Sequence, residues 1–417
     1  MSFTKRESPR SVFKAAALFA AISLNRLCAQ ELQPSPDARV DTLVNRRIDG
    51  GGVAVFPNGL SEGEERDGGW DLGVIISAAY DSNISLTKED AKSDVVLSVT
   101  PTVAYGKGAK DGLDGGFIRF AYKPTAVAYL QGNADTRIDQ EATLSAGIRG
   151  KSSSIGYEGT IRRLGDATAD VGRQTDRTEL DQAVRFAWIP REKLAYELAV
   201  GYAASEYDDK DLLGSRELYG ELALKYAYSP KTQLKFAYRA GNFAVDGASD
   251  QTVQRLGIGL DWQPREKIRV HLETAAEHRS FANGSDVNPV LEGRLDWTPQ
   301  EGTNLYVSAY QRELASAFFV GQNYKVTGAA VGISQRIGQK WTARLEAGTE
   351  RSIYKQVEGS GRGGRRDDIL FVRPALEYRF TDSFGMEFFY RMAESRSNRD
   401  GFGYDQDVAG VRLEYKF

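Results

Sequence analysis

Cysteine and histidine are nearly missing from this chain: its 417 residues include 1 Cys and 2 His. A lone thiol forms no disulfide framework. His271 and His278 lie seven residues apart on one extended segment, which sends them to opposite faces and rules out a shared metal. No apolar run approaches the ~20 residues that a membrane-spanning helix needs, and mean hydropathy is −0.44. Basic excess is missing too, since the formal charge is −3, so bulk charge gives no case for nucleic-acid binding. Catalytic signatures are lacking as well. The stretch from Gly359 to Gly364 is rich in glycine but has no Lys-Ser/Thr after it, so it reads as a loop and not a phosphate cradle. Asp208, Asp209 and Asp211 lack the spacing of a calcium loop. We expect no catalytic residues, no metal and no cofactor.

What the chain has in quantity is alternation. In Val411-Arg412-Leu413-Glu414-Tyr415-Lys416-Phe417 apolar and charged side chains change places at each residue. A strand puts successive side chains on opposite faces, so one face is oily and the other ionic. The same device recurs in Leu194–Tyr202, Leu222–Tyr228, Leu234–Tyr238, Leu291–Trp297, Leu376–Phe380 and Met386–Met392. About eighteen such segments follow residue 70, starting near 71, 94, 115, 138, 154, 178, 193, 216, 232, 252, 267, 288, 303, 324, 340, 368, 384 and 405.

The connections sort by length. Tight ones surround Pro190, Pro230, Pro264, Pro299, Gly338 and Asp382, while longer polar ones run over 165–177, 208–216, 358–368 and 394–403. Short turns at one end and long loops at the other, with an even strand number, predict an all-β transmembrane antiparallel up-and-down β-barrel of about 18 strands. Closure follows from solvent. An open sheet would leave unpaired polar backbone in hydrocarbon, at several kcal/mol per group. A one-residue slip of the last strand would turn Arg412, Glu414 and Lys416 to lipid, at about 2–4 kcal/mol for each basic residue near the midplane.

The expected organisation has three parts. Residues 1–29 read as an export signal, with Lys5, Arg6, Arg10 and Lys14 ahead of the apolar run Ala15–Leu24. Cleavage after Ala29 would remove Cys28 and shift the charge to −7, since five basic residues leave with Glu7. A lipoprotein signal at Cys28 is the rival, opposed by Asn25 and Arg26 where small or apolar residues are expected. Residues 30–69 lack periodicity and read as a flexible periplasmic segment, with a short lumen plug as the other option. Residues 70–417 are the barrel.

Alternation also assigns the inward face. Its arginines are Arg185, Arg255, Arg294, Arg344, Arg373, Arg391 and Arg412. Its glutamates are Glu197, Glu221, Glu273, Glu292, Glu346, Glu377, Glu387 and Glu414. Two readings stay open: cross-strand charge pairing in a wet lumen, or a lane of forked donors for an anionic solute. Trp188, Tyr228, Trp262 and Trp297 stand just before proline turns, with Phe380 and Phe417 in the matching places later. Such recurrence predicts an interfacial aromatic girdle.

Tyr80-Asp81-Ser82-Asn83-Ile84, the run Ser93–Val103 with its embedded proline, and the terminal strand resemble the Putative beta-barrel porin 2 family of outer-membrane proteins. The likeness implies an outer-membrane channel for passive passage or export of hydrophilic solutes, saccharides among them. It also implies recognition of the terminal aromatic by the barrel-insertion machinery. Some relatives belong to exopolysaccharide clusters, so an export component with periplasmic partners is one alternative, and a structural or adhesive barrel is another. Outer-membrane lipid and lipopolysaccharide are the expected partners. Arg365 and Arg366 are candidates for lipopolysaccharide phosphates, and Asp81 and Asn83 for a loop cap or a ligand.

Overall fold

A computed structural model describes residues 69–108, 115–282, 284–356 and 364–417. The proposed signal and the segment before residue 69 lie outside the described residues, as does most of the glycine-rich loop. The strands are β1 (Gly69–Asp81), β2 (Asp94–Gly108), β3 (Gly115–Tyr129), β4 (Arg137–Arg149), β5 (Ser153–Leu164) and β6 (Arg177–Arg191). Next come β7 (Leu194–Tyr207), β8 (Ser215–Ser229), β9 (Thr232–Val245), β10 (Gln251–Arg265), β11 (Ile268–Phe281) and β12 (Gly284–Trp297). The last are β13 (Thr303–Ala315), β14 (Gln322–Ile337), β15 (Trp341–Gln356), β16 (Arg366–Thr381), β17 (Phe384–Ser397) and β18 (Tyr404–Lys416). Each pairs antiparallel with its chain neighbours, and β1 pairs with β18 from Gly73↔Lys416 to Asp81↔Val408. The sheet is a closed 18-stranded barrel, and Phe417 N donates to Leu72 O at 2.9 Å, which sews the chain end to its first strand.

The faces separate as alternation requires. Leu72, Ile76, Leu198, Leu222, Leu256 and Leu345 are exposed, and each belongs to the parity that carries the apolar set. From Leu218 to Tyr228 on β8, ten residues at the strand rise and a barrel tilt of roughly 40° span about 26 Å. That matches the height of an outer-membrane apolar band. The opposite parity carries the charges and is shielded by the curvature of the wall.

The prolines sit differently from the sequence expectation at two turns. The β6–β7 and β10–β11 turns are residues 192–193 and 266–267. Pro190 and Pro264 fall inside β6 and β10, where the register shifts before Arg191 and Arg265. A bulge tolerates a residue without an N–H, so proline marks the strand end and not the turn itself.

One departure from a plain barrel shapes the site. β12 and β13 pair only from Leu291↔Gln311 to Trp297↔Leu305, although both strands continue toward the long-loop end. Beyond that point the tip of the β13–β14 hairpin leans into the lumen. Its nominally outward Glu313 and Asn323 meet the inner wall: Glu313 accepts from Asn288, and Asn323 donates to Glu313 at 2.6 Å and to Gln251 at 3.1 Å. Arg279 reaches the Glu313 carbonyl at 3.2 Å. Lys355 on the same lip reaches Asp286 at 2.8 Å.

Candidate functional site: the lumen wall and its outer closure

All fifteen charged positions named from alternation fall on the inward parity, and most are matched across the ladder. Glu197 pairs with Lys225 at 2.8 Å, and Lys235 sits between Glu221 at 3.4 Å and Glu273 at 3.2 Å. Arg344 joins Glu377 to Glu387, the latter at 3.2 Å, and Arg412 meets Glu387 at 2.7 Å. Arg255 pairs with Glu277 and Arg373 with Glu346 at 3.5 Å across the ladder, while Arg294 meets Asp296 at 2.8 Å and Glu414 meets Lys416 at 3.3 Å along a single strand. Glu292 stands opposite Glu273 in the register, and Arg391 lies near Asp81. Arg185 makes no ion pair among the described residues, yet Asp181 and Glu221 are close enough to feel its charge. Cross-strand matching therefore dominates over a one-sign lane. His271 joins Asp261 at 2.6 Å, and His278 turns to the opposite face.

A second pattern was not read from the sequence. Inward aromatic rings lie flat over a glycine directly paired with them on the neighbouring strand: Phe117 over Gly147, Tyr219 over Gly201, Tyr306 over Gly332, Tyr310 over Gly328, Phe371 over Gly348 and Phe389 over Gly410. Only a residue without Cβ leaves room for the ring to lie down, and the ring covers the backbone the glycine exposes. An arginine caps each ring, from Arg239 at 3.5 Å over Tyr219 to Arg312 at 5.4 Å over Tyr310. Cation–π contact holds the guanidinium against the wall. The lumen surface thus offers guanidinium edges and carboxylates, because both ring faces are occupied. The glycine–aromatic coincidence needs the strand register, which the sequence alone leaves uncertain by a few residues.

Of the residues expected to form a girdle, Trp188, Tyr228, Trp262, Trp297 and Phe380 are exposed at the short-turn end, joined there by Trp70 and Trp341. From β15 to β18 the aromatics form a chain: Trp341, Tyr378, Phe380, Phe384, Tyr415 and Phe417, with successive centroids 4.6 to 6.4 Å apart.

At the long-loop end Asp81 and Asn83 fasten the barrel seam. Asp81 accepts from the Asn83 N–H at 2.8 Å and from Gln406 at 3.0 Å; the Asn83 amide donates to Thr87 O and to Asp405 O, the latter at 3.0 Å. Asn83 is 1% exposed, so it caps the first loop and is shut off from solutes. Asp208 and Asp209 are engaged by Arg163 at 2.6 Å and Arg173 at 2.5 Å.

The outer mouth is bridged. The loop after β5 (165–176) reaches the β13–β14 turn (316–321), although seven strands lie between β6 and β14 one way round and nine the other. At the loop tip Asp170 accepts from Ala317 N at 2.7 Å, Tyr354 Oη at 2.9 Å and Ser316 Oγ at 3.1 Å. Arg365, buried, donates to the carbonyls of Ala169 at 2.8 Å and Asp170 at 3.1 Å, pairs with Asp367 at 2.6 Å, and lies 3.8 Å over Phe402. Leu213 N donates to Ala317 O at 2.8 Å, and Val171, Leu212 and Ala317 form a small apolar core with Tyr207. Burial pushes the Asp170 carboxyl up, against the opposing pull of Arg365. Beneath the bridge a polar cavity is walled by both sides of the barrel, including Glu179, Ser205, Arg312 and Glu350. Arg365 is therefore unavailable to lipopolysaccharide, correcting the reading of it as a loop contact; Arg366 is exposed. Glu313, Lys325 and Lys355 have lipid-facing parity, but so do Arg351, Asp368, Glu394 and Arg396 at the same end of the barrel, so charge on that parity did not single out the inward hairpin.

Residues 287–417 match the family described as Putative beta-barrel porin 2, a stretch from the start of β12 to the chain end. The Tyr80–Ile84 and Ser93–Val103 segments that suggested the same family lie before it. Among solved structures, the crystal structure of Pseudomonas aeruginosa OpdQ is similar at TM-score 0.49 and 12% identity, over 84% of this chain and 98% of that one. Pseudomonas aeruginosa OccK7 (OpdD) gives 0.47 and 12% over 84% and 99%. Acinetobacter baumannii OccAB4 gives 0.46 and 12% over 85% and 99%. No curated protein matches the chain.

Proposed function

We propose that this porin-like outer-membrane barrel is a passive conduit for hydrophilic solutes, uncharged saccharides among them. One observation carries the reading: a closed sheet with an apolar outside and an inner wall of charge pairs held flat over aromatic rings. Paired charges leave a hydrated wall without a strong field of either sign, so steering of ions is weak and neutral polar solutes meet no electrostatic barrier along the wall. Export behind a cleaved signal at residues 1–29, insertion through the strand ending at Phe417, and contact of the outer rim with lipopolysaccharide belong to the same proposal.

Liposome swelling with purified, folded protein tests it. Neutral sugars should enter fastest, with anionic and cationic sugars of equal size within a few-fold of each other. Folded protein that admits none of the three, with the outer bridge intact and with it broken by Asp170→Ala alike, removes the conduit reading.

A further inference from the structure

We propose that Asp170, seated against Ser316, Ala317, Tyr354 and Arg365 across the lumen, is the bolt of a gate that closes the outer mouth. The inference rests on the conduit reading and adds where passage is controlled.

The two partners in this bridge are held unequally. On the socket side, the β13–β14 tip is anchored to the inner wall through Glu313, Asn323 and Arg279. Arg365 is fixed by Asp367 and by the rings of Tyr354 and Phe402. The socket is thus preorganised and buried.

The bolt side is a narrow loop. Its base is closed by the single bridge Ala167↔Gln174, and its tip turns at Gly172, whose φ of +69° a side chain would disfavour. The tip touches the far wall chiefly through Asp170 and Val171. Below the base, Gly165 N donates to Asp139 at 2.8 Å and Gln174 donates to Tyr129 Oη at 2.8 Å. Both anchor the loop to its own side of the barrel. Withdrawal of the tip would separate loop from socket and leave both anchors intact.

Charge chemistry makes such a bolt reversible. A carboxylate taken from water into a buried site gives up hydration and recovers it in hydrogen bonds, so the balance between seated and withdrawn states is small compared with either contribution. When Asp170 leaves, Asp367 still neutralises Arg365, and no charge is stranded in the socket.

The test is single-channel recording in planar bilayers, with heat-modifiable migration checking that each variant is folded. Asp170→Ala should raise the open fraction by about tenfold or more, since it removes three accepted hydrogen bonds at once. In a Cys28→Ser background, Val171→Cys with Ala317→Cys joins the loop tip to the socket turn inside the small apolar core that they share. The oxidised form should fall nearly silent and recover on reduction. Steady wild-type conductance that neither change alters, with the disulfide verified by mass, overturns the gate and leaves the conduit standing. Silence of the wild type, Asp170→Ala and the reduced double variant alike overturns the conduit and the gate with it.

Discussion

Adding one methyl group at Gly332 tests the wall packing most sharply. A Cβ there would lie 2.5 Å from Tyr306 Cζ, well inside contact distance, and its three nearest neighbours are all atoms of the Tyr306 phenol. The ring must lift into the lumen. It then loses its hydrogen bond to Glu346 at 2.6 Å and displaces Arg294, whose guanidinium lies 4.3 Å above it. Overpacking of this kind costs about 1–3 kcal/mol. Gly332→Ala should therefore lower barrel stability by that amount in urea unfolding from lipid vesicles, followed by tryptophan emission. With Tyr306→Ala in place the clash is gone, and alanine in a strand is favoured over glycine by roughly 0.5–1 kcal/mol. The same glycine change should then be neutral or stabilising. An equal cost in both backgrounds, as a double-mutant cycle would show, refutes the ring-over-glycine account.

Three further outcomes follow from other parts of the molecule. Leu222→Arg puts a charge on the exposed apolar face of β8 near mid-strand and should cost about 2–4 kcal/mol, whereas Ala223→Arg one residue on, beside the paired wall charges, should cost far less; parity of the two in the same unfolding assay argues against the assigned faces. Arg344→Ala leaves Glu377 and Glu387 without a shared cation, so the reversal potential under a salt gradient should move toward cation selectivity; a move toward anions contradicts the wall reading. The seated Asp170 carboxyl is pushed up relative to its withdrawn state, so seating binds a proton more readily and is favoured as pH falls between the raised and ordinary values. Open fraction should accordingly drop on acidification through that window. Asp170→Asn should flatten the response, with Arg365, Asp367 and Tyr354 left in place, and an unchanged acid response in that variant excludes Asp170 as its source.

Period-two patterning carried the fold into the sequence because a closed barrel imposes one constraint, oily outward and polar inward, on nearly every strand. The expected starts at 94, 115, 232, 303 and 384 coincide with observed ones, and the largest error, at β12, reflects Gly284, Ser285 and Asp286, which extend the strand with no apolar face. The inward parity of the charged side chains was legible for the same reason. The outer bridge was not. Asp170 sits in a polar loop like any other, and its importance depends on Tyr354 and Arg365 some 184 and 195 residues away in the chain. Tertiary proximity across a lumen leaves no local period. Arg365 misled for the opposite reason: a glycine-rich neighbourhood implies exposure, while the folded chain tucks its guanidinium between two aromatic rings.

The central claim is a closed wall whose alternate side chains face lipid and water. Single cysteines placed at each position from 405 to 416, in protein reconstituted into vesicles, test it most directly with a membrane-impermeant thiol reagent. Labelling should alternate through the strand, with positions 412, 414 and 416 reached from the aqueous lumen and 411, 413 and 415 protected by lipid. Uniform labelling along the strand, or protection at 412 and 414, would contradict it.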